Sequence, residues 1–156
     1  MTRRLQDEIK QTRPFATIEE EVLVGLSRTA DALQRGFAGV FKAARLSPTQ
    51  YNVLRILRGA GGPGLSCGDI ADRMVTRDPD LTRLLDRLEA RHLVSRSRDG
   101  EDRRVVTTRI TQAGLTVLDE LAAPLAAEQR RLLGHIGDAR LRALADLLDE
   151  ARASEE

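Results

Sequence analysis

Leu81, Leu84, Leu85 and Leu88 recur at steps of three and four residues, a spacing that lines one face of a helix with leucine. The opposite face then carries Pro79, Thr82, Arg83, Asp86 and Arg87, with Ala90 further along. Such a helix must lay its leucines on a core and turn its charges outward. After His92 the pattern changes period. Val94 to Arg98 and Arg103 to Ile110 read as short strands around Asp99-Gly100-Glu101-Asp102, and Asp-Gly between two strand-like runs signals a hairpin. A helix with a basic exposed face followed by an arginine-rich hairpin is the plan of a winged helix. The stretch from Arg77 to Thr111 therefore points to a chain that reads DNA.

The rest of the chain is arranged around that stretch. Residues 1–16 are polar and charged and are expected to fray or to drape over a partner. Residues 17–45 hold a long amphipathic helix, with Val22, Leu26, Ala30, Leu33, Phe37, Val40, Phe41 and Ala44 on its apolar stripe. Ser47-Pro48-Thr49-Gln50 is a capping box with proline in the first turn, and Ser66 with Asp69 is a second. The glycines from Gly59 to Gly64 lack the following Lys-Ser/Thr of a nucleotide loop and read as a plain loop. A short helix after Ser66, a turn, and a helix over about 78–92 make a helix-turn-helix. Two helices fill 111–156, the first striped by Leu115, Leu118, Leu121 and Leu125 with a kink or bend expected at Pro124, the second by Leu141, Leu144, Leu147 and Leu148.

Composition narrows the function classes. Aromatic residues make up 3% of the chain, too few for a single-strand stacking platform. Net charge is +1, but residues 73–109 hold ten arginines against seven acids, a local balance of +3. Of the 25 basic residues 23 are arginine, which supplies planar donors suited to phosphates and guanine edges. The single cysteine, Cys67, and two distant histidines, His92 and His135, make no metal cluster, so no metal or cofactor is expected. Cys67 has no histidine and acid partners in view, and no paired-carboxylate site or cofactor fingerprint marks an enzyme. No run approaches ~18 apolar residues, and no apolar signal core follows the N-terminal arginines, so a cytoplasmic location without membrane contact is expected.

The residues resemble the multiple-antibiotic-resistance regulator (MarR) family of winged-helix transcription factors. Asp102-Arg103-Arg104 followed by Ile110-Thr111-Gln112-Ala113-Gly114 matches the family's Asp-Arg-Arg, five residues, apolar-Thr-x-x-Gly pattern. Leu81 to Glu89 resembles its recognition helix, and the likeness extends from about Ile18 to the C-terminus. The resemblance implies a mainly α fold: a winged helix-turn-helix lobe (46–110) with a two-stranded β wing, and N- and C-terminal helices (17–45 and 111–156) forming a dimerisation lobe. It also implies a homodimer on a palindromic double-stranded operator, with recognition helices in successive major grooves ~34 Å apart. Repression, relieved by a small molecule of unstated identity, is the family default.

On this reading Thr82 and Arg83 meet base edges or phosphates, while Arg87 contacts phosphate or pairs with Asp86 or the wing. In the wing (about 94–110) the resemblance assigns Asp102 to hold an arginine and Arg104 to insert into the minor groove, with Arg98 and Arg103 on the backbone. Arg77 is a further DNA candidate, and Ser47, Gln50 and Ser66 either donate to phosphates or cap their own helices. The family usually has glycine where His92 stands, and small hydroxyl or lysine residues where Arg77-Asp78-Pro79-Asp80 fall. Asp78 and Asp80 either cap the helix, the preferred reading, or accept from cytosine amino groups. Val22, Leu26, Leu118, Leu121, Leu125, Leu141, Leu144 and Leu148 are the expected dimer interface. Phe37, Phe41 and Tyr51 are candidates for an effector cleft, with core packing as the plainer alternative. Cys67 is expected to be buried or inert rather than a redox sensor. The rival to DNA binding is a winged helix that serves as a protein-interaction adaptor.

Overall fold

The computed structural model describes residues 4–98 and 105–153. The chain divides into two compact units, Met1–Ala38 and Gly39–Glu156. Most of the first is the N-terminal part of helix α2 (Ile18–Ala43), preceded by a single helical turn, α1 (Leu5–Glu8). Glu8 pairs with Arg28 at 3.9 Å, and Leu5 lies beside Gly25 of α2. Ile18, Val22, Leu23 and Leu26 on α2 are exposed.

The second unit holds the winged helix-turn-helix. Helix α3 (Pro48–Ala60) starts at the expected capping box: Ser47 Oγ accepts from Gln50 N (3.1 Å) and Gln50 Oε1 from Ser47 N (2.9 Å). After the glycine loop, Leu65 and Ser66 form a two-residue strand, β1, and the Ser66–Asp69 box opens α4 (Cys67–Arg73). The Ser66 hydroxyl holds the Asp69 carboxyl below its ordinary range. A turn pinned by Val75 N donating to the buried Asn52 Oδ1 (3.0 Å) leads to α5 (Leu81–Ala90). Strands β2 (Val94–Ser97) and β3 (Thr107–Ile110) pair antiparallel, with Val94 opposite Ile110 and Ser97 opposite Thr107. Strand β1 adds to the far edge of β3, giving the order β1-β3-β2. The fold class stands as expected, and the wing sheet has one strand more than the sequence indicated.

Helix α6 (Gln112–Leu133) runs on through Pro124; a 3₁₀ turn (Gly134–Ile136) and α7 (Asp138–Ala153) follow. The core is Val53, Leu54 and Leu57 of α3, Ile70 of α4, the four expected leucines of α5, and Leu118, Leu121 and Leu125 of α6. Those last three correct the interface expectation. At 2%, 5% and 6% exposed they are filled by packing within one chain, because α6 lies against α3. Leu144 and Leu147 of α7 are exposed, and Leu141 and Leu148 half-buried. No helix among the described residues is long and apolar enough to cross a membrane.

The Thr-x-x-Gly pattern has a mechanical reading. Thr111 caps α6 by accepting from Gly114 N (3.1 Å), and its hydroxyl donates to the His92 carbonyl (2.6 Å). Thr111 N donates to Leu93 O (3.1 Å). A Cβ on Gly114 would run into the Leu93 carbonyl and come within 2.7 Å of Ile110 Cγ1. Gly114→Ala should therefore lower the unfolding free energy by about 1–3 kcal/mol, as overpacking of a close contact does. Urea unfolding checks this, and an unchanged midpoint would refute the close-approach role.

Candidate nucleic-acid interface

Burial of Leu81, Leu84, Leu85 and Leu88 fixes the roll of α5, so Thr82, Arg83, Asp86 and Arg87 face outward as the spacing predicts. Arg83 and Arg87 lie beside the start of α3, where a cleft of about 220 Å³ is bounded by Ser47, Gln50, Asp78, Asp80, Arg83 and Arg87. Four candidates scattered over 41 sequence positions (47 to 87) are thus brought to one place. The N-termini of α3 and α5 add partial positive charge there, which suits an anionic ligand.

Several expectations are revised. The side chains of Ser47 and Gln50 are engaged with each other's backbone in the capping box. Ser66 donates its hydroxyl proton to Asp69 Oδ2 (2.6 Å), which leaves none for a phosphate. Capping by the two acids does not occur as expected. Helix α5 starts at Leu81, not at Asp78; Asp80 is the N-cap residue but makes no side-chain cap bond, and Asp78 Oδ1 accepts from Asp80 N (2.8 Å). Pro79, which disfavours helical geometry at Asp78, delays the helix start. Arg77 is exposed and borders a separate hollow with Met74, Pro79 and Leu81. Arg98 is exposed just past β2. Asp102, Arg103 and Arg104 lie outside the described residues. Phe41 is buried and packs on the half-buried Tyr51, with ring centroids 5.3 Å apart and planes tilted by 49°. Phe37 is half-buried. A cavity of about 370 Å³ lies instead between the end of α2 and α6, lined by Val40, Ala44, Val117, Leu121 and Pro124 with Arg45 and Glu120. Cys67 is exposed, not buried.

Two positioning arginines escaped the sequence reading. Arg96 on β2 bonds Glu89 through Nε (2.9 Å) and Nη2 (2.6 Å), and Asp86 through Nη2 (2.5 Å), locking the wing strand to α5. Hydrogen bonding to Glu89 holds its guanidinium above the ordinary value. Asp86 is therefore the partner of Arg96, not of Arg87. Arg91, the C-cap residue of α5, donates from Nη1 to Arg45 O (2.6 Å) and from Nη2 to Ala44 O (3.3 Å), bonding the carbonyls of the turn just past α2.

A helix-turn-helix whose second helix bares threonine and arginine, locked to an antiparallel wing, defines a winged-helix regulator. The MarR family model matches residues 46–106. A MarR transcription factor from Planctomyces limnophilus is 39% identical, with 87% of this chain and 98% of that one covered and a TM-score of 0.68. The chain belongs to the MarR family. The transcriptional regulator PecS of Dickeya dadantii is 28% identical over 80% of this chain and 76% of its own. The repressor CouR bound to a 23-mer DNA duplex superposes with a TM-score of 0.79 at 25% identity, covering 91% of this chain and 99% of its own. CouR from Rhodococcus jostii RHA1 is also known bound to p-coumaroyl-CoA.

Replacing Arg96 with methionine should lower the unfolding free energy by about 1–3 kcal/mol, since charge-assisted bonds are lost and Asp86 and Glu89 are left facing each other. Urea unfolding of Arg96→Met beside Arg87→Met checks this; equal, negligible losses would remove Arg96 from its locking role.

Proposed function

We propose that this chain is a sequence-specific regulator of transcription that binds double-stranded DNA as a homodimer and represses. The observation that carries this reading is the outward face of α5: Thr82, Arg83 and Arg87 stand clear of the core beside the N-terminus of α3. Helix α5 enters the major groove, and the wing over about 94–110 reaches the minor groove with Arg104 inserted and Arg98 and Arg103 on the backbone. The DNA-bound CouR, alike along nearly its whole length, supports double-stranded DNA as the partner.

Residues 17–45 and 111–156 supply the dimerisation surface, and 46–110 the DNA-binding lobe. With Leu118, Leu121 and Leu125 assigned to the core, each unit offers its own apolar residues for this: Ile18, Val22, Leu23 and Leu26 are exposed on α2, and on α7 Leu144 and Leu147 are exposed and Leu141 and Leu148 half-buried. A small effector releases the DNA, as the ligand-bound relative suggests. The cavity between the end of α2 and α6 suits such a molecule better than the packed Phe41 and Tyr51.

The test is a titration of the protein against its own upstream DNA at two salt concentrations. Binding should prefer a palindrome and weaken steeply with salt, by close to one power of the salt concentration per neutralised phosphate. Arg104→Ala should cost about 1–3 kcal/mol of operator affinity. Absence of any duplex binding would favour a protein-interaction adaptor. Sedimentation at micromolar concentration should give twice the 17.2 kDa chain mass, and a monomer would overturn the dimer.

A further inference from the structure

We propose that Asp80 is a specificity-determining residue which, together with Arg83, reads a single G·C pair across both strands of the major groove. The inference rests on the DNA-binding reading above. Asp80 Oδ2 lies 3.5 Å from Arg83 Nη1, and both side chains are open to solvent at 54% and 76%. Asp80 occupies the N-cap position but makes no side-chain cap bond to the helix backbone, so its carboxylate is not used up by capping. Asp78 has the local role instead, accepting from Asp80 N and shaping the turn. Arg83 borders the cleft with Asp80, at the end of α5 nearest the α3 N-terminus.

The chemistry of the pair fits one base pair. Guanine shows two acceptors in the major groove, N7 and O6, and its partner cytosine shows the N4 donor beside them. Cytosine N4 and guanine O6 are bonded to each other at about 2.9–3.0 Å. A guanidinium and a carboxylate side by side at 3.5 Å present the matching order, donors over N7 and O6 and an acceptor over N4. The guanidinium has five N–H donors, so it can hold Asp80 and the guanine together. An A·T pair in the same place keeps the N7 acceptor but sets the N6 donor against the arginine and the thymine O4 acceptor against the carboxylate, so the contacts at the O6 and N4 positions fail. The carboxylate also repels phosphates and therefore weakens binding to unselected DNA.

The experiment selects bound duplexes from a random pool with the wild type, Asp80→Asn, Asp80→Ala and Arg83→Ala, each confirmed as folded by its unfolding midpoint. The wild type should enrich one G·C position in each half-site. Both Asp80 variants should reduce the G·C over A·T preference at that position about tenfold and leave the other positions intact. Asp80→Ala should also bind unselected duplex more tightly, which loss of a merely structural residue would not produce. Arg83→Ala should flatten the same position, and adding Asp80→Ala to it should do nothing more there. An unchanged G·C preference in both Asp80 variants, or an equal weakening at every position, would overturn the assignment. Failure of the wild type to enrich any sequence would overturn the DNA-binding reading itself.

Discussion

The junction at His92, Leu93, Thr111 and Gly114 is the contact on which the recognition apparatus depends. The recognition helix ends there, both wing strands have their base there, and α6 begins there. The carbonyls of His92 and Leu93, in the turn after α5, accept from the hydroxyl and the amide of Thr111 at the start of α6. One residue thus holds the turn between α5 and β2 and caps α6. Because glycine at 114 admits the Leu93 backbone, the start of α6 sits directly on the strand that carries the wing. A displacement of α6 cannot avoid moving β2 and, through Arg96, the helix beside it.

That junction also shows why charge counting is a poor guide to which arginines face DNA. Between residues 73 and 109 a balance of +3 marks the region, but Arg91, Arg96 and Arg109 all bond inside the chain. Arg109 bridges Ser97 and the Gly62 carbonyl, tying the glycine loop to the wing sheet. The exposed arginines of α5 are there because leucine packing turns them outward, not because the stretch is basic. Arginine in this stretch is largely a connector, with its planar fork spanning the ends of elements.

Local features were legible in the sequence, and those that depend on distant partners were not. Four leucines at helical spacing and two Ser-x-x-Gln/Asp boxes contain their own geometry, so α5, α3 and α4 follow from them. Strand β1 is two residues long and has no period to detect; it exists because β3 offers a free edge. Arg96 needs Glu89, seven residues back across a turn, and Arg91 needs carbonyls 46 and 47 residues away. A leucine stripe shows that a face is covered without showing by what, which is why Leu118, Leu121 and Leu125 read as interface. In the candidate site, the outward pair Arg83 and Arg87 was readable, whereas the separate tasks of Asp78 and Asp80 depend on where Pro79 lets the helix start.

The replacement of the family's glycine by His92 also has a structural counterpart. His92 takes the left-handed conformation (φ 57°), with His92 N donating to Glu89 O (2.8 Å) and Leu93 N to Leu88 O (3.0 Å). This is a Schellman end, normally reserved for glycine. Arg45 (φ 53°) ends α2 in the same manner, through Arg45 N to Lys42 O and Leu46 N to Phe41 O, both at 3.0 Å. Each non-glycine residue in this region costs about 1–2 kcal/mol, so two such ends need compensation. The hydrophobic pairs that close them, Leu88 with Leu93 and Phe41 with Leu46, are all buried. Arg91 then joins the two ends, since it is the residue before His92 and donates to the carbonyl of Arg45. The exit of the recognition helix and the exit of the long helix are therefore strained alike and held by one guanidinium. The guanidinium of Arg91 thus ties the end of α5 to the turn that closes α2.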